Sequence, residues 1–141
     1  MNIDVRSESV VYGCIKYIAN EELIKQRHSN RDAMQSLPSA ETWSLVNREM
    51  FSLTVPSTTD LSLATEVVHF GASYQGVEHE WTYWLEQFES LLRKMYWVSA
   101  TVHLETEMSG LHSFVFATDG FCHEPERSDI QIRCEWVKET A

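Results

Sequence analysis

His103, Glu105 and Glu107 stand two residues apart in the run SATVHLETE, and their types and spacing could do chemistry. In an extended strand alternate side chains share a face, with about 7 Å between successive ones. An imidazole and two carboxylates would therefore project together. Such a set offers permissible ligands for zinc, iron or manganese. It could also move protons, with Glu105 or Glu107 as base and His103 as acid. The same spacing makes the ordinary solvent face of an antiparallel sheet, and a polar face that meets a partner is the reading adopted here. Trp97 shares the alternation, and an aromatic ring beside carboxylates is a suitable protein-binding anchor. Its alternative is a ring covered by the N-terminal segment or by the loop around Trp43. His112 or Ser113 would lie across the following hairpin, and Arg133 and Glu135 join the field if the last strand is a neighbour.

A second group of reactive types, Cys122, His123 and Glu124 with Glu126 nearby, falls in a loop. Adjacent residues do not readily wrap one tetrahedral ion, and no distant second pair completes the set. Cys122 as a nucleophile needs one of His69, His79, His103, His112 or His123 in contact and oriented by a third group. Ser9, Ser29 and Ser113 lack a nucleophile-elbow context. The chain has no P-loop, dinucleotide glycine set, HExxH pair or calcium loop. No cofactor and no metal are expected.

The elements that must position these residues centre on Gly76 to Glu107. Val77, Trp81, Trp84, Leu85, Phe88, Leu91, Leu92 and Met95 recur at three- and four-residue steps, which predicts an amphipathic helix. From Tyr96 the period changes to two: Tyr96, Val98, Ala100, Val102 and Leu104 take one face, and Trp97, His103, Glu105 and Glu107 the other. Ser9 to Ile18 is a strand too apolar for its buried face to be chosen, with Gly13 marking a bulge or a close backbone contact. Asn20 to Glu22 opens a helical run to Leu37 that reads as one helix or as two short ones; its polar middle holds a second cap-like residue, Ser29 or Asn30, and the cap is expected at Asn30. Met50 to Val55 and Leu63 to Phe70 read as strands around the loop PSTTDLS, and GASYQG as a loop after Gly71. Met108-Ser109-Gly110 joins the long strand to Leu111–Ala117 as a hairpin. Asp129 to Lys138 closes the chain, with Ile130, Ile132, Cys134 and Trp136 on one face and Gln131, Arg133, Glu135 and Val137 on the other. The predicted fold is a single α+β domain over residues 1–141: an antiparallel or mixed sheet with helices packed on one face. Its order is the ferredoxin-like β-α-β-β-α-β plus two C-terminal strands.

Length and charge bound the partners. The chain has 141 residues, 43% of them hydrophobic, and a formal net charge of −10 from 21 acidic against 11 basic residues. That balance repels phosphate backbones and anionic lipid and favours encounter with a basic protein. Neither a basic-then-apolar leader nor a membrane-length apolar stretch is present. The three cysteines, Cys14, Cys122 and Cys134, make neither an even disulfide set nor a CxxC pair, which points to reduced thiols in the cytoplasm. Size, acidity, exposed carboxylates and the lack of an evident active site give a profile that resembles the small acidic immunity proteins bacteria make against secreted toxins. The resemblance implies a cytoplasmic protein-binding domain, monomer or homodimer, that neutralises a cognate toxin. Trp97, His103, Glu105, Glu107, Arg133 and Glu135 are its candidate contacts. The alternative is a small-ligand-binding protein or an enzyme using His103 and the neighbouring carboxylates.

Overall fold

The computed structural model describes residues 8–18, 23–42, 44–54, 65–120 and 122–137. The helix start expected at Asn20–Glu22, Trp43, the loop of residues 56–62 and Lys138 lie outside them, as do the side chains of Glu135 and Trp136. The elements follow the order β1 (Glu8–Ile18), α1 (Leu23–Gln35), β2 (Phe51–Thr54), β3 (Thr65–Gln75), α2 (Trp81–Arg93), β4 (Ser99–Thr106), β5 (Gly110–Thr118) and β6 (Ile130–Val137). One six-stranded sheet results, in the order β2-β3-β1-β4-β5-β6, with every neighbouring pair antiparallel. β1 lies between β3 and β4, the split arrangement of the β-α-β-β-α-β unit, and β5 and β6 extend the β4 side as a meander. Among the described residues no helix is long and apolar enough to cross a membrane.

Both helices cover the same face of the sheet. Helix α2 forms where apolar residues recur every three or four positions, and it buries Trp84, Phe88, Leu91 and Leu92. Beneath it the alternation of β4 turns Ala100, Val102 and Leu104 inward, beside Val11 and Ile15 of β1, Val68 and Phe70 of β3, and Phe114 and Phe116 of β5. A run of aromatic contacts joins the two layers. Trp81 stacks on Trp84 at 4.9 Å and tilts on Phe114 at 5.1 Å, while Phe88 meets Phe70 at 5.0 Å and Phe116 at 5.2 Å. Helix α1 adds Ala33 and Met34 to this core.

Two expectations about segment ends are corrected by long-range contacts. Strand β3 does not stop at Gly71 but runs to Gln75, pairing Ala72 with Val11 and Tyr74 with Ser9. Tyr74 packs on the core side, where its hydroxyl donates to Leu45 O at 2.5 Å and accepts from Trp84 Nε1 at 3.0 Å. Burial pushes its phenol pKa up. Asn30, in turn, caps nothing: α1 runs unbroken through it, and the residue is fully buried. Its amide donates to Tyr96 O at 2.9 Å and accepts from Tyr96 N at 2.8 Å. A polar residue mid-helix is thereby explained by the backbone it satisfies in the α2–β4 connection.

That connection, rather than β4, holds Trp97. Trp97 is fully buried, so its assignment to the outer face with His103 and the glutamates is overturned. The reason is that β4 starts only at Ser99, so the two-residue alternation does not extend back to position 97. Trp97 bridges His123 instead, with Trp97 N–H donating to His123 O at 3.2 Å and His123 N–H to Trp97 O at 2.7 Å. Its ring stacks on that of His123 at 5.1 Å, and its Nε1 donates at 2.8 Å to Leu92 O, a last-turn carbonyl of α2 that also accepts from Met95 N–H at 3.1 Å. Glu126 N–H, from a left-handed residue with φ 70°, donates to Arg93 O at 2.8 Å. The indole is a clasp on the end of the helix.

Candidate functional site

The sheet face opposite the helices carries the residues that sequence spacing singled out, arranged in rows by register. The middle row crosses five strands as Gly71, Tyr12, His103, Ser113 and Glu135. On one side of it lie His69, Cys14, Thr101, Val115 and Arg133; on the other, Ser73, Val10, Glu105, Leu111 and Val137. Alternation within each antiparallel strand puts these register positions on one face of the sheet, opposite the core residues Val11, Ile15, Val68, Phe70, Val102, Leu104, Phe114 and Phe116. His103 and Glu105 therefore occupy the open face. Arg133 stands on it and is exposed, two strands from β4. Glu135 takes the register position opposite Ser113. Glu107 is exposed in the β4–β5 turn rather than in the strand.

The centre of the face is aromatic and polar. Tyr12 is 37% exposed and its ring tilts over that of His103 at 5.0 Å. His103 Nδ1 lies 2.8 Å from Ser113 Oγ, and Ser113 itself is buried. Val10, Leu111 and Val115 are half-buried around this pair. At one corner, Glu8, Val10, Glu105, Thr106 and Glu107 line a shallow cleft of about 340 Å³. Ser73 Oγ donates to Glu8 Oε1 at 2.8 Å and fixes one of its three carboxylates. An amphipathic aromatic next to a carboxylate-lined corner suits a protein surface carrying cations, because the ring supplies area and the acids supply long-range attraction.

Sequence spacing does not place Tyr12, Cys14 or His69 on this face, His69 entering only as one of the five histidines that Cys122 would need. Their signal is nonlocal: β1 is apolar on both faces because it is the central strand, and only its register with β3 and β4 shows that Tyr12 faces outward.

The Cys122–Glu124 loop is structural. His123 is fully buried, with Nδ1 2.9 Å from Met95 O and Nε2 3.1 Å from Arg127 O and 3.5 Å from Asp129 Oδ1. Both ring nitrogens point at protein oxygens, so neither is presented to an ion. Among the described residues no group of three or more His, Cys, Asp or Glu side chains is placed to hold a metal. Burial, together with the nearby Glu124 carboxylate, pushes the Cys122 thiol up, away from the thiolate a nucleophile requires. Asp129 is held below the usual carboxylate range, chiefly by the hydroxyl of Thr118, which donates to it at 2.6 Å.

Set against family models, curated proteins and solved structures, the chain matches none.

Proposed function

We propose that this protein is a protein-binding domain that docks a basic partner on its open sheet face. Tyr12 serves as the central anchor, His103 braces it, and Glu105 and Glu107 steer the encounter. The observation that carries the reading is the exposed Tyr12 ring, packed on His103 beside the Glu8–Glu105–Glu107 corner, on the face left uncovered by α1 and α2. A net charge of −10 adds to the attraction. Read with the resemblance to acidic immunity proteins, the specific form of the proposal is a cytoplasmic immunity protein that neutralises a cognate bacterial toxin. Arg133 and Glu135 lie towards the far edge of the same face and would set register. Trp97 has no part in it, being buried.

The test is binding kinetics against the product of the adjacent gene at two ionic strengths. Glu105→Gln with Glu107→Gln is expected to slow association by roughly threefold to tenfold at low salt and to change dissociation little. Tyr12→Ala is expected to speed dissociation by about tenfold or more. Rates equal to wild type in all these variants, with the fold intact, would remove the open face as the interface.

The contact between His103 Nδ1 and Ser113 Oγ supports a second reading, because a histidine so placed can activate a hydroxyl nucleophile. It would make this face a small-ligand or catalytic site. Ser113 is, however, only 7% exposed. Glu105 stands in the neighbouring row opposite Val10 and Leu111 rather than behind the imidazole. Hydrolysis of small esters that Ser113→Ala abolishes would favour this reading over partner binding.

A further inference from the structure

We infer that the protein self-associates through the outer edge of β6, a second copy adding its own β6 antiparallel across a two-fold axis to make one continuous sheet. Strand β6 ends the sheet, and no other described strand pairs with it beyond β5. Its eight residues make it the longer edge, against four in β2. A strand edge presents unpaired backbone donors and acceptors, and proteins that stay monomeric blunt it with proline, with inward charge or by shortness. This edge has no proline, no charge at a core-side position and a length of eight residues; its two charges, Arg133 and Glu135, take open-face register positions. Its sequence, IQIRCEWV, lacks proline and is rich in β-branched and aromatic residues, and Ile132 is 44% exposed with Cys134 exposed beside it.

The strand is also complementary to itself in one register. A two-fold axis perpendicular to the sheet keeps each residue on its own face, so the axis must pass through a residue position. With the axis at Cys134, Arg133 faces the second copy's position 135, a glutamate, and Ile132 faces position 136, a tryptophan. Both pairs occur twice by symmetry. Shifting the axis to 133 sets arginine against arginine, and shifting it to 135 sets glutamate against glutamate; like charges directly opposite destabilise an antiparallel pair. The opposite-charge pairing favours the Cys134 register over those on either side of it and fits a second copy of this chain as the occupant. The two open faces then lie on the same side of the assembly. The edge pairing takes up Arg133 and Glu135, which the partner reading gives to register, but not its anchor and steering residues Tyr12, Glu105 and Glu107, so the two readings fail separately.

Charge exchange tests it. Sedimentation equilibrium of the full chain at about 100 μM should show a dimer. Arg133→Glu and Glu135→Arg should each weaken it by roughly tenfold or more, because each replaces two opposite-charge pairs by two like-charge pairs. The double variant R133E/E135R should restore the dimer, and mixing the two single variants should yield a heterodimer. A second readout does not depend on those variants. Diamide takes up two protons and two electrons as two thiols become a disulfide, and Cα atoms about 4.5–5.5 Å apart across an antiparallel pair are within bridging range. It should cross-link wild type, Cys14→Ser and Cys122→Ser, but not Cys134→Ser. A monomeric wild type at this concentration would overturn the inference. So would a dimer insensitive to both single charge changes, or a diamide cross-link that persists in Cys134→Ser.

Discussion

Gly13→Ala is expected to destabilise the protein by at least about 3 kcal/mol, a large effect for the addition of one methyl group. Gly13 sits in the middle of β1, the central strand, paired with Phe70 on one side and Val102 on the other. A Cβ built there would collide with the backbone carbonyl oxygen of Thr101 and come within 2.8 Å of the Phe70 Cζ. The ring of Phe70 occupies the space that a side chain at position 13 would need, and it is itself held by Phe51 at 5.5 Å, Trp84 at 6.4 Å and Phe88 at 5.0 Å. Backbone on one side and a braced ring on the other leave little room to relax. Gly71 provides the control, because a Cβ there meets nothing nearer than Tyr12 Cβ and Val11 O, both at 3.8 Å. Gly71→Ala should change stability by less than about 1 kcal/mol, aided by the smaller entropy of its unfolded chain. Urea denaturation of the two variants checks the pair; equal midpoints would mean that position 13 is not a close backbone approach.

Trp84→Ala and Phe88→Ala should each cost about 3–5 kcal/mol. Both side chains are fully buried and stack on one another at 5.1 Å between helix and sheet. Removing either opens a cavity among rings that cannot all move in. Trp84 has a second function as a donor: losing its Nε1 leaves Tyr74 Oη with one fewer partner in a buried site. Denaturation curves with unchanged slope and a lowered midpoint are expected for both. A change below about 1 kcal/mol in both would show that α2 packs through a different face.

The helix that carries these residues was legible because its apolar spacing is local and long. The same holds for β4 from Ser99 onward, where alternation alone placed His103 and Glu105 on the outer face and Ala100, Val102 and Leu104 inside. Trp97 escapes the alternation because counting it from Tyr96 starts three residues too early, in a connection whose conformation is set by His123 and by the end of α2. Asn30 misleads for a related reason: an asparagine that serves a backbone 66 residues away looks in sequence like a local cap. The extension of β3 past Gly71 hid behind small residues, although Phe70, Ala72 and Tyr74 keep a two-residue period on the core side. Tyr12, the proposed anchor, cannot be chosen at all from a run that is apolar on both faces. In each case the missing information is a contact distant in the chain, whether strand register or a hydrogen bond to remote backbone, which local pattern does not encode.

The central claim is that the face of Tyr12 and His103, and not the helical side, meets the partner. Hydroxyl-radical footprinting of the protein alone and in complex with the adjacent gene's product tests it most directly. Tyr83, 55% exposed on α2, serves as the internal reference on the opposite side. The account predicts that labelling of Tyr12 and His103 falls severalfold on complex formation while Tyr83 stays unchanged. Protection of Tyr83 with Tyr12 and His103 still labelled at their free rates would contradict it.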